Sequence, residues 1–174
     1  GEKLAGQILL VHAEQGFGDV IQFVRLLSLI DSQGGKVILA CHAALIDLFS
    51  ALPGIDSVVD IDQEIPPYDA HVPLLSLPRL LNISGTNIPN AAYLAANSAA
   101  RDQDTSLLRV GIAWAGMPRH EFDPHRNRSC PVEAFEVLKN HPKIALYSLQ
   151  TGPNAVDLSK INGSGSIIDL NPQI

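Results

Sequence analysis

This chain is short of cysteine, of charge and of long hydrophobic runs, and each shortage excludes something. Its 174 residues contain two cysteines, Cys41 and Cys130, far apart in sequence. No C-x-x-C pair and no Cys/His zinc spacing occurs, which argues against a structural zinc site. Two isolated thiols suit a reducing compartment better than a disulfide scaffold. Charged residues make up only 17% against 46% hydrophobic, a globular composition with enough apolar material for a core, so global disorder is excluded. The net charge of -6 gives no electrostatic reason to expect a nucleic-acid partner. No apolar run approaches the roughly 18 residues of a membrane helix, and the opening GEKLAGQ is unlike a secretory signal. These features lead us to expect a cytoplasmic protein without a membrane span. Gly1 in place of Met leads to the expectation that the natural chain begins earlier. A Ser/His/Asp triad has no support, because no G-x-S-x-G elbow is present.

What is present is alternation. Ile8 to Ala13 reads as a buried parallel strand, broken by Gly16 and Gly18. From Asp19 to about Asp31, the apolar positions Val20, Phe23, Val24 and Leu27 fall at helical spacing, and Gly34 and Gly35 end the helix. Lys36–Ala40 is the next strand, Ala43–Ala51 a helix closed by Pro53-Gly54, and Ser57–Ile61 a short strand. Ala70–Val72 adds a further short strand and Leu74–Leu81 a short helix. Strand and helix in turn predict a doubly wound α/β sheet. Residues 97–108 are polar and charged and read as a linker between a first domain, 1–96, and a second, 109–174. The second restarts the alternation with a strand over Arg109–Trp114, a long polar loop over Ala115–Cys130, a helix over Pro131–Asn140, a strand over Ile144–Leu149 and a third strand over Ser166–Leu170.

Open parallel sheets bind ligands beyond the carboxyl ends of their strands, where both unusual loops fall. EQGFGD, residues 14–19, is not the dinucleotide pattern G-x-G-x-x-G, since Ile21 stands where the third glycine belongs. An acid at the helix start also disfavours a phosphate there. Asp19 has two readings: a helix cap or first-turn acid, or a carboxylate that accepts a proton from a substrate hydroxyl. The second loop carries Arg119, His120, His125, Arg126 and Arg128 with Asn127 and Ser129, the densest cationic cluster in an acidic chain. Guanidinium forks there suit a phosphate or diphosphate. The alternative is a solvated loop paired with Glu121 and Asp123. His120 and His125 have no third ligand nearby, so no metal site is expected. Trp114 at the strand end either packs under a bound base or sugar or closes the core. His12, inside an apolar run, reads as a core histidine.

In order along the chain, LLVHAEQGFGDVIQFVRLL, LPGIDSVV, PYDAHVPLLSLPRLL, RVGIAWAG, HRNRSCPVEAF and YSLQTG resemble the bacterial glycosyltransferase-like domain found with tetratricopeptide repeats. That domain is similar to the heptosyltransferases and, more distantly, to the protein O-GlcNAc transferases. The resemblance implies the GT-B architecture, in which two Rossmann-like domains face each other across the active site. Here it covers the N-terminal domain and an incomplete C-terminal one. It implies Asp19 as the base that deprotonates an acceptor hydroxyl, with Gln15, Gly16 and Gly18 forming the acceptor-side loop. On the nucleotide-diphosphate side it implies Trp114, Gly116, Arg119, Arg126, Asn127, Arg128, Ser129 and Gln150. The implied partners are a nucleotide sugar and a glycan, lipid-linked or protein acceptor, with inversion at the anomeric carbon. No cofactor is expected, and no divalent metal is required, on the reading that no D-x-D motif appears and that the arginines can stabilise the diphosphate.

The chain departs from the resembled pattern in three places. Thr151 stands where a lysine is usual, the stretch HEFDP precedes RNRS, and the second domain stops at Ile174 before further βα units. The expectation is therefore a glycosyltransferase fragment that is inactive alone, or a truncated, non-catalytic binding module. An uncovered apolar face on the unfinished second sheet would favour self-association.

Overall fold

The computed structural model describes residues 4–30, 34–95, 106–116, 129–163 and 167–173. The chain divides into two compact units, Gly1–Ser98 and Ala99–Ile174. Each is α/β and built on a parallel sheet.

In the first unit, β1 (Ile8–His12), β2 (Lys36–Cys41), β3 (Ser57–Asp60) and β4 (Ala70–Pro73) lie in the order β3-β2-β1-β4. The apolar runs that made these strands legible alternate their side chains across the sheet. Val11, Val37, Leu39 and Cys41 enter the larger core, while Leu10, Ile38 and Ala40 enter a smaller one on the opposite face. Between strands run α1 (Phe17–Phe23), α2 (Ile46–Phe49) and, after β4, α3 (Leu77–Leu80), with 3₁₀ turns at Val24–Leu29, Ala43–Leu45 and Leu74–Ser76. Full burial of side chains such as Leu27, Phe49 and Leu74 contributes about 1.5–3 kcal/mol each. Pro53-Gly54 closes the turn before β3. Gly54 has φ +83°, and an added Cβ would sit 2.9 Å from the Leu27 carbonyl oxygen, so only glycine fits there.

The expected double winding is only partly realised. Every helical segment of this unit that buries a side chain buries it in the larger core: Val20, Leu27, Leu45, Phe49, Leu74 and Leu77. The opposite face is covered by the segment between β3 and β4, through Ile61 and Ile65. A right-handed crossover that reverses direction from β3 to β4 has to pass over that face. Residues 61–69 are too short and too rich in proline and acid to make that passage as a helix. The predicted helix over Asp19–Asp31 also differs: it starts earlier, at Phe17, and tightens to 3₁₀ at Val24. The tighter turn brings Val24 and Leu27, both buried, onto one line.

In the second unit, β5 (Leu108–Ile112), β6 (Ile144–Ser148) and β7 (Ile167–Asp169) lie in sequence order. Between them stand a 3₁₀ turn over Val132–Phe135 leading into α4 (Glu136–Lys139), and a 3₁₀ segment over Pro153–Lys160. One face packs Ile112, Trp114, Val132, Leu146, Leu158, Ile161 and Ile167 into a core. The side chains of alternate parity stay open. Leu149 and Ile168 are 45% and 48% exposed. No helix among the described residues is long and apolar enough to cross a membrane.

Candidate functional site

The carboxyl edge of the first sheet gathers three loops. β1 ends at His12 and the chain continues in register, with Ala13 N–H donating to the Ala40 carbonyl at 2.9 Å. Gly16 then caps α1 through its backbone alone, at φ -65° and ψ 169°. The N-cap reading of Asp19 is thereby corrected: Asp19 is the third residue of α1, a first-turn acid. It is half-buried, and its carboxylate makes no hydrogen bond or ion pair with the described residues. Among the described residues the exposed carboxylates of Asp47, Asp62 and Glu64 are likewise uncommitted, whereas other acids of the unit accept from backbone N–H groups. Asp69 and Asp56 accept the Ile8 and Val37 N–H groups at 2.7 Å each, at the start of β1 and β2. Glu14 accepts the Leu75 N–H at 3.3 Å. That last bond ties the loop after β1 to the loop after β4. In the order β3-β2-β1-β4 this is where the winding changes direction, the place where open α/β sheets leave a crevice.

Two residues that sequence reasoning left without a role join this edge. His42, immediately after β2, holds Nε2 3.3 Å from the Gln15 carbonyl oxygen, and its ring lies 5.0 Å from that of Phe17. Phe17 itself is 49% exposed. The available signal was position, since a residue directly after a parallel strand lies at the ligand edge. Asp60-Ile61-Asp62 follows β3 and corrects the reading that the chain holds no D-x-D triplet; Asp60 accepts the Asp62 N–H at 3.1 Å. Burial pushes the neighbouring Cys41 thiol up to about 11, with the Asp60 carboxylate acting in the same direction. His12 is half-buried with its ring 5.7 Å from His71, so it is not a fully enclosed core histidine. Among the described residues, no three His, Cys, Asp or Glu side chains form a metal-sized cluster.

In the second unit, Gln150 organises the end of β5. Its Oε1 accepts the N–H groups of Trp114 (3.0 Å) and Ala115 (2.9 Å), and its Nε2 donates to the carbonyls of Ala115 and Thr151, both at 2.9 Å. All four valences of the amide are spent, so Gln150, 6% exposed, positions the strand end and has none left for a ligand. Gly116 donates to Ser129 Oγ at 3.3 Å and accepts from Asn154 Nδ2 at 3.2 Å. Trp114 is 3% exposed and packs in the core. Its Nε1 and the Ser148 Oγ are buried with no hydrogen-bond partner among the described residues, a cost of about 1–3 kcal/mol for each group. Arg119, Arg126, Asn127 and Arg128 lie outside the described residues. The structure therefore brings together Gln15, Gly16, Gly18 and Asp19 on one turn, and Trp114, Gly116, Ser129 and Gln150 on another.

No protein-family model, curated protein or solved structure matches the chain.

Proposed function

We propose that this chain is part of a GT-B glycosyltransferase, with the unit Gly1–Ser98 serving the acceptor and the unit Ala99–Ile174 contributing to the nucleotide-sugar side. The observation that carries the reading is the state of Asp19. It is half-buried at the carboxyl edge of a parallel sheet, between an open glycine turn and an exposed aromatic ring, and its carboxylate is uncommitted. Among the described carboxylates of this unit that serve no backbone N–H group, Asp47, Asp62 and Glu64 are exposed and Asp19 alone is half-buried, which suits it to act as a base. In the reaction Asp19 takes the proton of an acceptor hydroxyl. The freed oxygen attacks the anomeric carbon, the bond from that carbon to the diphosphate oxygen breaks with inversion, and the nucleoside diphosphate leaves. Arg119, Arg126 and Arg128 offset its growing charge, and Phe17 offers an apolar face to the acceptor.

The test uses the gene product as its source cells make it, assayed for nucleoside diphosphate release from a panel of nucleotide sugars. Asp19→Asn is expected to lower kcat by about 10²–10⁴-fold with thermal stability unchanged. Full turnover in that variant would overturn the proposal.

A second reading, a non-catalytic binding or assembly module, is favoured by one observation. The second sheet leaves Leu149 and Ile168 about half-exposed on the side away from its core. Absence of turnover with every donor, together with self-association through that side, would select it.

A further inference from the structure

A second candidate site lies in the first unit, on different residues from the carboxyl-edge loops. Between α1 with its 3₁₀ continuation and the segment that follows α3 there is a cavity of about 320 Å³. That volume falls at the small end of the roughly 300–1,000 Å³ of ligand sites. Phe23, Leu26, Pro78, Ile83 and Ile88 give it an apolar lining. One wall is fixed by its own hydrogen bonds. Ile83 N–H donates to the Pro78 carbonyl at 2.7 Å, Ser84 N–H to Asn87 Oδ1 at 2.5 Å, and Asn87 Nδ2 to the Asn82 carbonyl at 3.1 Å. A wall held this way is formed before anything binds.

Among the described residues of the lining, Arg25 carries the charge. Its guanidinium donates to the Gln22 carbonyl (2.8 Å), the Pro89 carbonyl (3.3 Å) and the Tyr93 hydroxyl (3.4 Å), and it sits 4.6 Å from the Tyr93 ring centroid. Every one of these partners is neutral. No carboxylate pairs with Arg25 among the described residues. Three of the five guanidinium N–H donors are engaged and two remain. This half-buried guanidinium, with no carboxylate beside it among the described residues, borders an apolar lining. An anion arriving on an apolar body satisfies both halves of the site at once.

We propose that this cavity binds a single-chain amphiphile with an anionic head, carboxylate or phosphate. The tail lies along Leu26, Pro78 and Ile83, and the head pairs with Arg25. This site does not rest on the glycosyltransferase reading, and either can fail alone.

Calorimetric titration of the folded chain with octanoate, octyl phosphate, octanol and octyltrimethylammonium, all below micellar concentrations, tests it. At least one of the two anions is expected to saturate at one per chain, and the cation is expected to bind at least about tenfold more weakly than that anion. The tighter of the two anions identifies the head group. Ile88 is 54% exposed, so Ile88→Asp keeps the fold. Its carboxylate at the rim is expected to weaken the anion about tenfold while thermal unfolding stays unchanged. Arg25→Gln is expected to remove the preference for the anion over octanol. Failure of both anions to saturate, equal binding of anion and cation, or unchanged anion binding in Ile88→Asp would overturn the proposal.

Discussion

Gly18 is the second residue of α1, and an added Cβ there meets no atom within 4 Å. The same holds for Gly16, and neither has a positive φ. The fold therefore demands glycine at neither position, although glycine inside a helix costs about 0.5–1 kcal/mol relative to alanine. What the pair provides is open space beside Asp19. Gly18→Ala is expected to stabilise the first unit by about 0.5–1 kcal/mol in thermal unfolding. Under the proposed function it also lowers transfer, because the methyl group narrows the approach to the carboxylate. A variant that is stabilised and fully active would assign the glycine to neither fold nor site. The sequence showed this turn clearly, since glycines between an apolar run and an amphipathic one announce themselves. It could not show that Asp19 is uncommitted while Glu14 is spent on Leu75, because that partner lies 61 residues away.

Among the elements, the strands were legible and the helices less so. ILLVHA and KVILA are almost wholly apolar, SVVDI is a short β-branched stretch, and each formed a strand within a residue or two of the expected bounds. The 3₁₀ segment over Pro153–Lys160 has no comparable signal. Only Leu158 is buried in it, and Asp157 and Lys160 pair on its exposed side at 2.8 Å. Apolar strands also look the same whether helices or an extended segment cover them, so one-sided helix packing was invisible. Gln150 was equally opaque, because its partners are backbone groups that carry no residue identity. Gln150→Ala leaves two N–H groups of the β5 end without an acceptor. The second unit is then expected to lose about 2–4 kcal/mol. Urea unfolding followed by the fluorescence of Trp114, the single tryptophan, measures this directly. A loss below about 1 kcal/mol would mean that water replaces the amide.

At the scale of the whole molecule, the two units differ in how completely their sheets are covered. Among the described residues, the first buries apolar side chains on both faces and the second on one. At Gly111, in the middle of β5, an added Cβ would lie 2.5 Å from Leu149 Cδ1, so the half-exposed Leu149 side chain would have to shift. Leu149 thus lies across the open side without sealing it. The chain is expected to self-associate through this side at micromolar concentration. Sedimentation velocity should show the association and its loss in Ile168→Lys, which places a charge at a half-exposed position. A monomer at all concentrations would remove the assembly reading.

The strand order of the first unit also governs how the chain is made. β1 pairs on one side with β2, residues 36–41, and on the other with β4, residues 70–73. A nascent chain can join β1 to β2 and β3 as these emerge, but the second edge of Ile8–His12 stays unpaired until some 30 further residues have followed β2. At about 5–20 residues per second, that edge, on the apolar strand ILLVH, is open for seconds. Until β4 arrives, that edge is a template for another chain's strand.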